Sequence, residues 1–469
     1  MTTKITKIPA DLRRYVLAAI LTAASGQLAS TFDGIAVAQF IDIEAVSVLS
    51  LVMPVVVGVN CLGLLLGFGA NALCANAIGR KDSDAVSAIF STAVVSIVAV
   101  GLLASLLLWL GTPTIVSTLT DDDYLASLAT SYLQVYVLGT WIEMLAYAYC
   151  LFMATDGRPL LSTVAVTVGM VVNVVVDVVT MGYMETGMQG AAIGSILQFA
   201  VTTLILAYCF RRHRSRFCLR WPQGQFPSLL LQNIKEGAPM SMSSLLMALT
   251  VLLFNLITYS ALGDNGLFYW SVCLQMLLVG FIFINGTNEA LFALGEVMVG
   301  QHDMASLRLL VRRSLLLLCL AMVALMALMF LPNTLAFVYG VEEEPMLTEL
   351  TTVLRIFSLM LIPLGVSLVL AFSYQIMGHA RRCTLVIMAH LFVLVLSVWL
   401  FALLLPAALW WAFPLACTLF LAGQLVFQQR KGLNPDPSHL PSERGRGRGR
   451  KCRKKVENSN FVLTIFRRK

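Results

Sequence analysis

The chain has 469 residues, of which 58% are hydrophobic and only 12% are charged. Soluble domains carry about 25% charged residues, so this composition excludes an ordinary soluble protein. The formal net charge of +7 does not point to nucleic acid, because residues 429–469 hold thirteen Lys or Arg and three Asp or Glu. The excess of positive charge therefore belongs to a tail, and the rest of the chain is slightly acidic.

Apolar blocks of about 20 residues, the length that crosses a bilayer, recur from residue 14 to residue 428. They predict an all-α polytopic membrane protein with twelve transmembrane helices. The predicted helices cover residues 14–40, 45–77, 84–110, 124–154, 160–182, 187–210, 230–262, 265–298, 307–331, 346–377, 383–405 and 407–427.

Charges between the predicted helices alternate in sign along the chain. The N-terminus and the even-numbered connections are basic, whereas the first, third and ninth connections are acidic. Because short cytoplasmic connections are enriched in Lys and Arg, we expect a multi-pass protein of the cytoplasmic (inner) membrane with both termini cytoplasmic. The acidic connections contain Asp42, Glu44, Asp121, Asp122, Asp123, Glu342, Glu343 and Glu344.

The sequence also contains an internal repeat. One constant shift, called the repeat offset below, places GRKD (79–82) on GQHD (300–303) and Gly157 on Gly378. The same shift places the acidic third connection on the acidic ninth connection. Three loops that align at one offset predict two six-helix lobes with the same orientation, related by a pseudo-two-fold axis along the membrane normal.

The repeat divides the chain into three predicted domains. Residues 1–220 form an N-lobe of helices 1–6 with a linker, residues 221–428 form a C-lobe of helices 7–12, and residues 429–469 form a basic, disordered cytoplasmic tail. The tail contains RGRGRGRKCRKK (444–455), a composition that does not support a packed core. We expect it near anionic lipid headgroups, where each positive charge contributes about 1 kcal/mol, and not on nucleic acid.

The run MVVNVVVDVVT (170–180) places an amide and a carboxylate in a valine-rich span. Asn173 and Asp177 stand four residues apart, so in a helix they lie on the same face. A carboxylate at the centre of a membrane helix costs about 2.5–3.5 kcal/mol on insertion scales. A second acid, Asp33, lies deep in predicted helix 1, and both acids are therefore candidates for a functional site.

The repeat offset shows that these polar residues belong to one half only. Their counterparts in the second half are apolar, so any intramembrane carboxylate that the protein needs lies in the N-lobe. The corresponding pairs are Asp33 and Phe254, Glu143 and Leu364, Asn173 and Leu394, and Asp177 and Val398.

Helix 6 contributes Ala191 and Ser195, four residues apart within a run of small residues. The carboxylates of Asp33 and Asp177, the Asn173 carbonyl and the Ser195 hydroxyl form an all-oxygen set. Such a set suits a hard cation such as Na⁺. It equally suits a proton, because desolvation favours the neutral form of a carboxyl group. The alternative is polar packing between helices.

Four segments resemble the multidrug and toxic compound extrusion (MATE) family, specifically its DinF/MepA-like bacterial branch. The resemblance implies a two-lobed, V-shaped antiporter with a central cavity, which exports organic cations in exchange for H⁺ or Na⁺ by alternating access. The segments are FDGIAVAQFIDIEAVSVLSLVMP (32–54), GLLLGFGANALCANAIGRKD (63–82), TDGRPLLSTVAVTVGMVVNVVVDVVT (155–180) and GMQGAAIGS (187–195).

The resemblance also implies roles for individual residues. In that family pattern Asp33, Asn173, Asp177 and Ser195 bind the coupling ion, a possible Na⁺, and Ala191 offers a backbone carbonyl. No further cofactor is implied. The chain departs from the pattern in two ways: residues 14–40 lack the proline that many members carry in helix 1, and helices 7 and 10 lack the acids of the NorM-like branch.

Three further polar residues are predicted to line a substrate cavity for small organic cations. Glu143 and Glu289 fall nearer the predicted cytoplasmic side, and Asn255 stands beside Phe254 in helix 7. Each acid can attract a cation, but each can also be a neutral, hydrogen-bonded group between helices.

Other functions fit the sequence less well. A lipid-linked oligosaccharide flippase of the same wider superfamily would need cationic residues in mid-membrane, and only the peripheral Arg355 is present. An integral-membrane transferase would need a catalytic cluster, and neither the histidines nor the ten cysteines show one. Sugar or drug facilitators do not explain Asn173 and Asp177. We therefore expect a monomeric transporter with no catalytic residues and not an enzyme.

Overall fold

The fold is described from a computed structural model. It covers residues 2–42, 45–120, 122–212, 215–220, 225–301, 303–330 and 344–431. The predicted tail from residue 432 onwards lies outside the described residues, as do Glu44, Asp121, Glu342 and Glu343 of the acidic connections.

Nearly all described residues are helical. Two π-helical segments, Leu64–Phe68 and Val178–Tyr183, and two 3₁₀ segments, Val137–Gly139 and Pro406–Trp411, join or precede the α-helices. The α-helices are α1 (Thr2–Phe40), α2 (Val46–Gly63), α3 (Gly69–Arg80), α4 (Ser83–Leu119), α5 (Asp123–Tyr136), α6 (Thr140–Thr155), α7 (Pro159–Asp177), α8 (Met188–Arg212), α9 (Phe226–Gly300), α10 (Met304–Met329), α11 (Glu344–Ser358), α12 (Leu361–Ile376), α13 (Ala380–Leu404) and α14 (Ala412–Lys431).

Eleven helical stretches among the described residues are long and apolar enough to cross a membrane. They match the predicted helices except the seventh, where a shorter apolar helix, Leu253–Gly263, occurs instead. In α9 the backbone leaves helical geometry at Gly263, with φ 66° and ψ −154°, a conformation open to glycine. This break lies between predicted helices 7 and 8.

The chain divides into two compact units. The first unit is Arg13–Leu245, and the second combines Met1–Leu12 with the chain from Leu246 onwards. The first turns of α9 belong to the first unit, where the Ser241 hydroxyl donates a hydrogen bond of 2.8 Å to the Cys61 carbonyl of α2. These units reflect internal contacts, and the lobe boundary at residue 220 stays a prediction.

Local backbone geometry repeats at the offset found in the sequence. Gly157 and Gly378 adopt positive φ angles of 92° and 84°, which favour glycine because they crowd any Cβ. The Gly157 N–H donates to the Ala154 carbonyl at 3.0 Å, and the Gly378 N–H donates to the Gln375 carbonyl at 2.8 Å. The two turns occupy equivalent positions in the two halves and are therefore built alike.

The helix start after each second connection repeats in the same way. Asp82 caps α4 by accepting a hydrogen bond from the Ala85 N–H at 3.1 Å. Asp303 caps α10 by accepting one from the Ser306 N–H at 3.1 Å. Aspartate is a preferred N-cap because its carboxylate satisfies a free N–H of the first turn. The structure thus carries the repeat at both loops.

An aromatic cluster fills the core of the second unit. Phe413 stacks on Trp270 with ring centroids 5.6 Å apart, and its edge contacts Phe254 and Phe357 at 5.1 Å each. Phe254 and Trp270 also meet edge to face at 5.3 Å. Such pairs contribute about 0.5–1.5 kcal/mol beyond the burial of their area.

Candidate functional site

The valine-rich run in α7 has one buried face and one exposed face. Ala165, Gly169, Asn173 and Asp177, each four residues after the last, are buried, whereas valines between them such as Val175 are exposed. A helix turns once in 3.6 residues, so a stripe with this spacing lies along one side. The amide and the carboxylate therefore face protein, and the valines face the surface that a bilayer would cover.

Helix α8 approaches this stripe closely because glycine occupies the contact. A Cβ atom built on Gly194 would lie 2.1 Å from Asp177 Oδ1 and 3.1 Å from Asn173 Nδ2. The first distance is far below van der Waals contact, so only glycine fits without displacing the carboxylate. Small residues permit such close approach between membrane helices. Ser195 and Ala191, also in α8, are buried near the same point.

Helix α1 is held along α7 by two hydroxyl pairs. Thr22 Oγ1 lies 3.0 Å from Thr163 Oγ1, and Ser25 Oγ lies 3.0 Å from Thr167 Oγ1. Further along α1, the side chain of Asp33 interacts with the side chains of Asn173 and Asp177. The structure thus brings together the three polar residues that the sequence singled out from two separate helices.

Five polar atoms of these three residues are buried without a hydrogen-bond partner of good geometry. They are Asp33 Oδ1, both carboxylate oxygens of Asp177, and both amide atoms of Asn173. Buried polar atoms in proteins are usually hydrogen-bonded, so an unsatisfied cluster calls for an explanation. Neither Asp33 nor Asp177 forms an ion pair with any residue that the structure describes, so the two carboxylates have no protein cation to balance them there.

Two tyrosines of α5 extend the site, and the sequence analysis missed both. Tyr132 contacts Ser195 and lies near Asp33. Tyr136 stacks on Tyr132 with ring centroids 5.5 Å apart, and its hydroxyl donates a hydrogen bond of 2.6 Å to Glu143 Oε2. The repeat offset held a signal for them, because it places Val353 and Phe357, which have no hydroxyl, at these positions.

The three residues predicted to line a substrate cavity lie in different places. Glu143 is buried in the first unit and bonded to Tyr136. Asn255 and Glu289 belong to the second unit, where both are half-buried. Their role in binding substrate stays a prediction.

The donor set has the chemistry of a site for a hard cation or a proton. Among the described residues, no group of three or more His, Cys, Asp or Glu is placed to hold a metal ion. Two carboxylates, an amide and a hydroxyl instead offer oxygen ligands, the type that hard cations prefer. The assignment of Na⁺ to Asp33, Asn173, Asp177 and Ser195 stays a prediction.

Comparison with known proteins finds a matching family model and named relatives. The family model described as MatE matches residues 18–179, a range that includes Asp33, Asn173 and Asp177. The chain is 22% identical over 274 residues to the multidrug export protein MepA of Staphylococcus haemolyticus, which covers 57% of this chain and 60% of that protein. It is 25% identical over 236 residues to MepA of Staphylococcus aureus, covering 49% of this chain and 52% of the relative.

Solved structures show the same architecture. A MATE transporter in complex with MaL6 superimposes with a TM-score of 0.81 at 18% identity, over 90% of this chain and 95% of the other. A multidrug resistance MATE transporter in an outward-facing conformation gives a TM-score of 0.82 at 18% identity, with the same coverage. A transporter of the MOP superfamily from Pyrococcus furiosus gives 0.81 at 18% identity.

These matches confirm the predicted fold class, twelve helices in two lobes. The family model and the named relatives are those of the family that the sequence motifs resemble. The aligned segments span no more than about 60% of the length of the curated relatives. The sequence identity to the solved structures is low, so the structural similarity indicates the fold but does not indicate the substrate.

Proposed function

We propose that this chain is a secondary active antiporter of the MATE family of efflux transporters, as the family model and the named relatives support. It exports small organic cations in exchange for H⁺ or Na⁺, and it binds the coupling ion between Asp33, Asn173 and Asp177. The observation that carries the proposal is the set of buried polar atoms in these residues that have no hydrogen-bond partner.

The physical argument rests on charge. Two carboxylates in a buried site repel each other and lose their hydration, so the unloaded site is unstable as a pair of charges. A Na⁺ ion, or protons on the carboxyl oxygens, removes this cost and gives the free oxygens a partner. Loading and unloading therefore change the relative stability of the protein's conformations, which is what coupling requires.

The substrate class follows from charge and from the relatives. The relatives are named multidrug export proteins, and this chain outside its basic tail is slightly acidic. An acidic body favours cations over anions. The proposal also includes a location in the cytoplasmic membrane with both termini in the cytoplasm, a monomeric state and no enzymatic activity.

The deciding experiment separates the two ion gradients. The purified chain is reconstituted in liposomes loaded with a fluorescent organic cation such as ethidium, and a Na⁺ gradient or a pH gradient is imposed alone. We expect one of the two gradients to drive dye movement in wild type, and none to do so in Asp33→Asn. Asp123→Asn, the same change at an exposed position, is the control and should transport normally. Equal transport with neither gradient would reject coupled antiport.

A further inference from the structure

Glu143 is a second buried acid that the ion site described above does not use. It lies in α6 with 5% of its surface exposed, and Tyr136 donates a hydrogen bond of 2.6 Å to its Oε2 atom. No described residue forms an ion pair with it. A carboxylate in a buried, low-dielectric place without a cation is costly, so this group has a strong reason to bind a proton.

The residues of α4 and α8 that pack beside Glu143 bring no charge to it. Gly101 of α4 packs on Trp141, and Ile196 of α8 packs on Gly139. The Ser105 hydroxyl of α4 lies 2.7 Å from the Thr140 hydroxyl. The titratable groups that face Glu143 in the described part of the chain are tyrosines, Tyr136 in direct contact and Tyr132 behind it; the next acids are Asp33 and Asp177.

The two tyrosines connect Glu143 to the ion site. Tyr136 and Tyr132 stack with their ring planes 16° apart, as expected for residues four apart on one helix face. Tyr132 in turn contacts Ser195 and lies within the electrostatic influence of Asp33 and Asp177. The two stacked tyrosines thus lie between Glu143, which Tyr136 contacts, and the ion site, which Tyr132 contacts.

These side chains lie along the direction of transport. The span Asp123–Thr155 starts at the predicted outer side, so Tyr132 lies in its outer half and Glu143 lies past its midpoint. The chain from Tyr132 to Glu143 rises about 16 Å at about 1.5 Å per residue. Asp177 lies in the outer half of the span Pro159–Tyr183. Glu143 is therefore the acid on the predicted cytoplasmic side of the ion site.

The second half of the chain provides an internal comparison. At the repeat offset, Tyr132, Tyr136 and Glu143 correspond to Val353, Phe357 and Leu364. All three of these counterparts are buried and apolar. The fold itself therefore does not need a polar series at this place, and the series occurs only in the half that holds the ion site.

We propose that Glu143 is a second proton-binding site, located on the cytoplasmic side of the Asp33–Asp177 pair and connected to it through Tyr132 and Tyr136. The inference rests on the proposed function of that pair. In one transfer sequence the Tyr136 hydroxyl gives its proton to the Glu143 carboxylate and takes one from the Tyr132 hydroxyl, and Tyr132 takes one from a protonated carboxyl group of the Asp33–Asp177 pair, which becomes a carboxylate. Both tyrosines end unchanged, and one proton has moved inward.

The test measures protonation directly, without transport. Infrared difference spectra of the full chain in lipid nanodiscs are recorded across a pH step. Wild type should show a protonated carboxyl band that Glu143→Gln removes and Tyr136→Phe shifts in frequency. The matched controls are Glu349→Gln and Tyr269→Phe. In this second pair the Tyr269 hydroxyl also donates a hydrogen bond to the glutamate, at 2.7 Å, but Glu349 is exposed. Neither control should change that band.

Transport then separates this inference from the proposed function. If Glu143 receives the proton on its way inward, Glu143→Gln slows transport driven by a pH gradient and leaves the substrate KM unchanged. A raised KM with an unchanged rate of proton-driven transport would overturn the inference in favour of a substrate contact. An infrared band unaffected by Glu143→Gln would overturn it even if wild type transports normally. If wild type does not transport but the band behaves as expected, the proton site stands and the antiport proposal fails.

Discussion

The two halves of this chain share their loops and differ in their cores. Around the second connection and the Gly157 turn, hydrogen bonds recur at the equivalent positions of the second half with nearly equal distances. Yet at the equivalent positions of these helices the first unit places Asp33 and Tyr136, whereas the second unit buries Phe254 and Phe357 beside Trp270 and Phe413. The repeated arrangement of helices therefore accommodates either polar or aromatic side chains at these positions.

Individual positions make the contrast concrete. Asp33 corresponds to Phe254 and Tyr136 corresponds to Phe357, and both phenylalanines belong to the aromatic cluster around Phe413. In the second half these positions hold aromatic rings that pack against one another. In the first half the equivalent positions hold polar side chains, and Asp33 Oδ1 is buried there without a hydrogen-bond partner. The comparison shows that the site does not follow from the fold, because an equivalent set of helices packs stably without it.

The largest effect is expected where the polar half loses a charge. Asp177→Asn keeps the shape of the side chain but removes one of the two buried carboxylates. We expect gradient-driven transport to fall to the level of empty liposomes, because a single carboxylate no longer holds the coupling ion in the same way. Initial rates of dye movement measure this. Asp123→Asn should keep the wild-type rate, and wild-type transport by Asp177→Asn would remove this residue from the mechanism.

The aromatic half should respond in stability and not in coupling. Phe413→Ala removes ring contacts with Trp270, Phe254 and Phe357, and we expect it to lower the free energy of unfolding by about 3–5 kcal/mol. Thermal unfolding in detergent measures the loss. Phe392→Ala, at a position that is 68% exposed, should cost far less. A change in which ion drives transport by Phe413→Ala would contradict the division between the halves.

A smaller effect is expected at the close contact between α7 and α8. Gly194→Ala places a methyl group against Asp177, and we expect a loss of about 1–3 kcal/mol in stability together with weaker ion binding. Gly423→Ala is the control, because no atom lies within 4 Å of its added Cβ. It should stabilise α14 by about 0.5–1 kcal/mol. Equal behaviour of the two variants would show that the Gly194 contact does not position Asp177.

The smallest effect is expected at the hydroxyl of Ser195. Ser195→Ala copies the residue at the equivalent position of the second half, Ala416. Loss of one neutral oxygen should weaken ion binding by about 1 kcal/mol, which is about fivefold in affinity. Ser195→Thr keeps the oxygen and should bind like wild type. Measured ion dependence of transport, or of thermal stability, tests this, and an unchanged affinity in Ser195→Ala would exclude its hydroxyl as a ligand.

Much of the site could be predicted from residues that are unusual for their surroundings. Asp33, Asn173 and Asp177 stand out because a carboxylate or amide in an apolar span is costly, and the structure brings them together. Tyr132 and Tyr136 do not stand out in the same way because tyrosine is common in apolar helices; the repeat offset marks both positions as different between the halves, but their contacts appear only in the structure. Glu143 was visible as an acid, but its bond to Tyr136 was not.

The sequence by itself determined the membrane class, all the predicted spans except the seventh, the repeat, and Asp33 and Asp177 as the acids of the candidate site. These features follow from composition and from the period of apolar residues, which act along a single helix. Only the tertiary structure decided that α1 places Asp33 against α7, that Gly194 admits α8, and that two tyrosines reach from the ion site to Glu143. Such contacts depend on how separate helices cross and rotate, and the one-dimensional pattern of a span does not specify that geometry.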